Sequence, residues 1–299
     1  MDETIAELEQ YLGDRFVQVE QALERYLPPQ TERPRQLPSA MRYAVLEGGK
    51  RLRPILCGAA AEACGGTLQL VMPTACALEL IHAFSLVHDD LPALDNDTLR
   101  RGKPTVWCAY GEAMAVLTGD ALFAMAFELI AKQAETLPAD RVVQVLALIT
   151  QAVGVDGMVG GQVEDILSEG TEPTSEGLAY IHSRKTGALI RACVLAGAIL
   201  SGATLNQQRA LETYSTAIGL AFQIVDDILN ETSTPEALGK STQSDRARGK
   251  ATYPRLFGLE ESWRRAETAV HHALESLTLF DERANPLRWL AQYTLLRQR

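Results

Sequence analysis

The stretch SLVHDDLPALDNDTLRRG, residues 85–102, brings Asp89, Asp90, Asp95 and Asp97 close together and follows them with Arg100 and Arg101. Carboxylates this close repel one another unless a cation sits between them. They end the apolar run LELIHAFSLV (78–87), which is apolar nearly all round and so predicts a helix in the middle of a bundle. A helix C-terminus is already partly negative, so an Asp-Asp pair there is locally unfavourable. The same choice recurs where Asp226 and Asp227 stand near the end of AIGLAFQIVDDIL (217–229). One such pair fits a solvated helix end as well as a metal site; two argue for a cation. In the spacing D-D-x-x-x-x-D, Pro92 interrupts the helix and lets Asp95 fold back toward Asp89. Asp226 and Asn230 are four apart and share one helical face. Oxygen ligands on a partly open site fit Mg²⁺, which keeps waters and bridges to substrate phosphates. Nothing resembles an EF-hand loop, which disfavours calcium.

Basic groups lie nearby. In EGGKRLRP (47–54), Gly48 and Gly49 permit close backbone approach, and Lys50, Arg51 and Arg53 supply charge. The spacing of a P-loop is missing. LRRGKPT adds Arg100, Arg101 and Lys103; HSRKTGALIR adds Lys185 and Thr186; LGKS adds Lys240, and RGKATYP adds Lys250. Arg51, Lys103 and Arg184 fit surface charges best. Two acidic groups and at least two basic groups around an apolar channel suggest one diphosphate bound through metal, a second bound without it, and a hydrocarbon tail.

The elements that must hold these groups read as helices. Apolar residues recur at three- and four-residue steps over about 3–26, 37–64, 71–91, 111–134, 140–154, 156–168, 175–200, 207–231, 260–278 and 285–297. No alternating strand pattern stands out. Polar or proline-rich breaks fall at 27–38, 168–177 and 232–254, the last long enough for a lid or binding loop. One all-α domain is the simplest account of the 299 residues. A net charge of −10 makes a general nucleic-acid binder a poor fit. Cys57, Cys64, Cys76, Cys108 and Cys193 form no C-x-x-C pair, which fits packing residues in a reducing compartment. The start, MDETIAELEQ, has no signal-peptide core, and no unbroken apolar run reaches membrane-spanning length. A cytoplasmic protein without membrane insertion is expected.

GGKRLRP, HDDLPALDNDTLRRGKPT, GGQVEDI, RKTGALIR, AFQIVDDIL and GKATYP together resemble the landmarks of the trans-isoprenyl diphosphate synthases, over about residues 40–260. The resemblance implies a helical bundle around a central apolar cavity, a homodimer, and Mg²⁺, with three ions when substrate is bound. It implies the joining of isopentenyl diphosphate to an allylic diphosphate such as dimethylallyl or geranyl diphosphate. Carried over by motif, Asp89 and Asp95 would bind Mg²⁺ with Asp90 in support, and Asp226 would hold a further ion. Arg100, Lys185, Thr186, Gln223 and Lys240 would contact the allylic diphosphate. Lys50, Arg53, His82 and Arg101 would hold isopentenyl diphosphate. The chain departs from the pattern at Asn230, where aspartate is usual, at Trp107, where histidine is common, and at Ser244, where glycine is common.

Phe84 lies five residues before Asp89, about 7–8 Å further down the helix. An aromatic there, beside Ser85 and with the two extra residues of the first acidic motif, resembles bacterial farnesyl diphosphate synthases and implies a C15 product. A plain core role for Phe84 and a C20 product are the alternatives. A terpene cyclase would leave Lys50, Arg53 and Arg101 without a task. A non-catalytic partner subunit often lacks one acidic motif, and here both are present.

Overall fold

The computed structural model describes residues 2–31, 33–172, 174–232 and 252–296. Its elements run α1 (Asp2–Tyr26), α2 (Gln36–Leu46), α3 (Leu52–Ala63), α4 (Leu68–Asp89), a hairpin of β1 (Leu99–Arg100) and β2 (Lys103–Pro104), α5 (Val106–Tyr110), α6 (Glu112–Lys132), α7 (Ala139–Val153), α8 (Met158–Ser168) and α9 (Ser175–Ile181). A π-helical turn (His182–Gly187) then leads into α10 (Ala188–Leu200), followed by α11 (Leu205–Thr232), α12 (Tyr253–Phe257), α13 (Leu259–Ser276) and α14 (Asn285–Leu296). The fold is all-α apart from the small hairpin, which the sequence pattern did not reveal.

The helix that ends in the first aspartate pair is innermost, as its composition requires. Thr67 opens α4 by accepting the Leu70 N–H at 3.2 Å. α4 then packs against α3, α6 and α10, with Val71, Ala75, Leu78 and Ile81 fully enclosed. The 217–229 segment of α11 is enclosed too, with Ala217, Ile218, Ala221, Ile224, Val225 and Ile228 buried and only Leu220 of that segment exposed, and α10 is a further enclosed helix. Small residues let α10 in. A Cβ on Gly197 would lie 2.0 Å from the Cys57 carbonyl oxygen, so α3 and α10 meet backbone to backbone.

The single helix expected over 37–64 is broken at residues 47–51. Gly48 and Gly49 take φ of 108° and 124°, and Arg51 takes 51°, conformations a helix cannot contain. The helix expected over 175–200 is interrupted by the π turn.

Three stretches, α4, Glu112–Glu135 and Ala139–Ser168, are long and apolar enough to cross a membrane by length and composition alone. In α4, 67% of that window is inside the bundle; in the other two the figure is 39%, and residues 154–157 break the third into α7 and α8. Their exposed apolar residues include Val116 and Leu117 on α6, Val143 on α7, and Val159, Val163 and Leu167 on α8.

Candidate active site

α4 stops one residue before Asp90, and the chain past Pro92 turns back on it. The Asp95 N–H donates to the Asp89 carbonyl oxygen at 2.8 Å, so the expected fold-back occurs. Asp90 is 3% exposed and accepts from Arg100: Nε reaches both carboxylate oxygens at 2.8 Å, and Nη2 reaches Oδ1 at 2.5 Å. Arg100 Nη2 also lies 3.8 Å from Asp97 Oδ2. Asp89 has no such guanidinium clamp. Burial pushes its carboxyl up to about 6, and the charges of Asp95 and Asp90 add to the rise against the pull of Lys185 and Arg100. Trp107 donates its indole N–H to the Asp97 carbonyl oxygen at 2.8 Å and Thr105 donates its hydroxyl to the same atom at 2.9 Å, so Trp107 helps to hold the acidic loop.

The hairpin separates the two adjacent arginines. Arg101 and Gly102 both have positive φ, 55° and 75°, which gives the two-residue turn that suits a hairpin's twist. Arg100 then faces Asp90, while Arg101 donates to the Gly48 carbonyl oxygen and lies over Gly49. A Cβ on Gly49 would sit 2.6 Å from Arg101 Nη1, so the glycine makes room for the guanidinium.

Arg101 belongs to a second, strongly basic group with Arg53 and His82. Burial, and then the charges of Arg53, Arg101, Arg100 and Arg51, push the His82 imidazole well below its ordinary range, so it is neutral. Burial also lowers Arg53 and Arg101. Arg53 Nε is enclosed and has no hydrogen-bond partner. Lys50 is exposed on the turn beside them.

The second aspartate pair is on α11. Asp227 is 4% exposed and accepts from Gln223 Nε2 at 3.1 Å and from the Tyr253 N–H at 3.0 Å, with His182 Nε2 at 3.6 Å. Asp226, beside it, is half-buried, as is Asn230 further along the helix. His182 is pushed to about 4, chiefly by burial, and stacks on Tyr253 with ring centres 5.5 Å apart. His182 opens the π turn that also carries Lys185 and Thr186. Lys185 Nζ donates to Asp165 Oδ2 on α8 at 2.7 Å, and its charge reaches Asp89. The turn thus stands between the two acidic groups. α8 reaches it through Gly161, where a Cβ would lie 2.3 Å from the Lys185 nitrogen. π turns recur at functional sites because the extra residue re-aims side chains.

Below the first aspartates runs a row of rings. Phe84 lies 4.7 Å from Phe123 and 5.2 Å from His88 between centres, and Phe123 lies 5.0 Å from Phe127. Ser85 donates its hydroxyl to the His82 carbonyl oxygen at 2.9 Å. A cavity of about 50 Å³ beside Asp90 is lined by Tyr43, Ala83, Leu86, Val87, Arg100 and Arg101 among others. A groove of about 600 Å³ opens at the opposite end of α4 and α6, by Tyr26, Pro73, Met125 and Leu129.

The sequence reading placed Arg51 at the surface; it is 2% exposed and paired, because three other helices supply its partners. Lys103 is at the surface and pairs with Glu47, and Arg184 is half-buried. Asp165, Glu79 and His182 had been given no role. Asp165 had a readable signal, because it follows Gly161 by four residues and shares its helical face. Lys240, Lys250 and Ser244 lie outside the described residues.

The donor set fits a divalent ion. Asp89 carries a charge penalty that a cation would remove. Among the described residues no three His, Cys, Asp or Glu side chains are grouped closely enough to hold a metal alone. That suits ions held by one or two carboxylates and completed by phosphate oxygens.

The sequence matches the family described as Polyprenyl synthetase over residues 34–282. It is 49% identical to a geranylgeranyl diphosphate synthase of Cyanophora paradoxa, covering 96% of this chain and 95% of that protein. It is 47% identical to a dimethylallyltranstransferase of Fischerella ambigua, covering 99% and 86%. An FPP/GFPP synthase of Zymomonas mobilis superposes with a TM-score of 0.85 at 36% identity, covering 98% of this chain and 99% of that one.

Proposed function

Because the chain belongs to the polyprenyl synthetase family, the trans-isoprenyl diphosphate synthases, and performs head-to-tail prenyl transfer, we propose that it joins isopentenyl diphosphate to dimethylallyl and geranyl diphosphate and stops at farnesyl diphosphate. The observation that carries the C15 limit is the ring row, in which Phe84 meets Phe123 at 4.7 Å below the first aspartates. In this reading Asp89, Asp95 and Asp226 hold Mg²⁺, which supplies the positive charge that makes diphosphate a good leaving group. Arg100, Lys185, Thr186 and Lys240 grip that diphosphate. Arg53, Arg101 and Lys50 hold the isopentenyl diphosphate, and neutral His82 adds a hydrogen-bonding group without further charge. Gln223 and the backbone carbonyl near Lys185 and Thr186 offer fixed dipoles to the allylic cation. The isopentenyl double bond attacks that cation, and the departing proton goes to the released diphosphate. The apolar walls keep water from the cation.

The names of the relatives favour a second reading, a C20 product. Incubating the pure protein with Mg²⁺, isopentenyl diphosphate and geranyl diphosphate, then separating the products, decides between them. A mainly C15 product is expected. Hydrocarbon from one substrate would indicate a cyclase, and no product a non-catalytic subunit. Phe84→Ala is expected to lengthen the product by one or two isoprene units; an unchanged product removes Phe84 from the role. We also propose a cytoplasmic homodimer without membrane insertion; the exposed apolar residues of α6, α7 and α8 support a second copy that covers them over a monomer.

A further inference from the structure

Behind the basic pocket of Arg53, His82 and Arg101 lies a buried ion network. Arg51 stands between Lys50 and Arg53 in the chain and is 2% exposed. Its guanidinium faces three helices. Nε donates to Glu20 on α1, Nη1 to Glu79 Oε1 on α4 at 3.0 Å, and Nη2 to the Val45 carbonyl oxygen on α2 at 2.6 Å. Only a planar fork with five N–H groups can make this set; a lysine has one donor atom. Its left-handed backbone, φ 51°, is unfavourable for a residue with a Cβ and is held by these bonds.

Glu79 is 4% exposed and precedes His82 by three residues on α4. Its charge opposes the lowering of both Arg53 and Arg101. One carboxylate therefore backs three guanidiniums, and only Arg51 bonds to it directly. Asp89 is placed by the end of α4, and Lys185 by the π turn, neither of which Arg51 bonds.

We propose that Arg51 and Glu79 are positioning residues for the isopentenyl diphosphate pocket: they fasten the Gly48–Gly49 turn from within, and so fix where Lys50 and Arg53 point. The inference rests on the assignment of that substrate to Lys50, Arg53, His82 and Arg101. In the full-length protein, Arg51→Lys is expected to raise the KM for isopentenyl diphosphate about tenfold, with kcat and the KM for geranyl diphosphate changed by less than about twofold. Glu20→Gln, altering the one partner that is partly open to solvent (27% side-chain exposure), is expected to shift the same KM about threefold. Equal rises in both KM values, a loss of kcat alone, or unchanged kinetics in a folded Arg51→Lys protein would overturn the proposal. If Arg51→Lys does not fold, Glu20→Gln decides: a wild-type KM for isopentenyl diphosphate overturns it. A wild-type protein that does not bind isopentenyl diphosphate in calorimetry overturns the functional assignment itself, and this inference with it.

Discussion

At the end of α4 the inner aspartate, Asp90, is locked by a guanidinium through contacts of 2.5 and 2.8 Å. On α11 the inner aspartate, Asp227, accepts from the Gln223 amide and the Tyr253 N–H, with the neutral His182 imidazole 3.6 Å away. In both pairs the inner carboxylate fastens structure: Asp90 ties the hairpin to α4, and Asp227 ties Tyr253 and the π turn to α11. The outer one, Asp89 or Asp226, is half-buried beside it. The two holds differ in what they fasten. At the first site a guanidinium on the hairpin closes on Asp90, and the burial penalty falls on Asp89. At the second, a side-chain amide one turn back on the same helix and the backbone N–H that begins α12 reach Asp227. On the proposed assignment, doubling an aspartate separates holding from binding.

Three experiments press on this comparison. The largest effect is expected in turnover. Asp89→Asn and Asp226→Asn should each lower kcat by about a thousandfold or more in steady-state assays, with the fold retained. A larger loss in a folded Asp90→Asn or Asp227→Asn protein would reverse the division between outer and inner residues. The next effect is on stability, read by urea unfolding. Asp90→Ala leaves a largely buried guanidinium with only the more distant Asp97, 3.8 Å away, and should cost about 3 kcal/mol. Asp227→Ala leaves the Gln223 amide and the Tyr253 N–H without their acceptor and should cost at least about 1–3 kcal/mol. No loss of stability in either folded variant would sink the holding role of the inner aspartates. The smallest effect is in pH dependence without metal. Asp89 has a folded value of about 6 against an ordinary 3.8, so the folded state holds its proton longer than the unfolded chain. The stability this gives is present in acid and is lost as pH rises through about 6. Asp89→Asn should remove that dependence and be more stable than wild type at pH 7 in EDTA, by about 3 kcal/mol. Melting curves that run parallel from pH 4 to pH 7 would sink it.

The sequence was most readable where one local rule decides the outcome. Pro92 ends α4, and Asp95 returns to Asp89 as its position demands. Gly48 and Gly49 could have revealed the break between α2 and α3, but the apolar spacing runs through it on both sides. The π turn keeps the same spacing before and after it, so no pattern marks it. Arg51 was misread for a different reason. Its burial depends on Glu20 and Glu79, which are 31 and 28 residues away, and on a carbonyl that only the broken helix presents. α10 falls within the helix expected over 175–200, but its small residues look unremarkable until the close approach at Gly197 makes them necessary.

The hairpin at 99–104 has a consequence for how two neighbouring charges are told apart. A single peptide unit divides Arg100, which closes on Asp90, from Arg101, which donates to the Gly48 carbonyl oxygen. Adjacent residues at such a tight bend face opposite ways, and adding or deleting one would exchange them. On the proposed assignment, the register of a two-residue turn keeps the two diphosphates on separate guanidiniums.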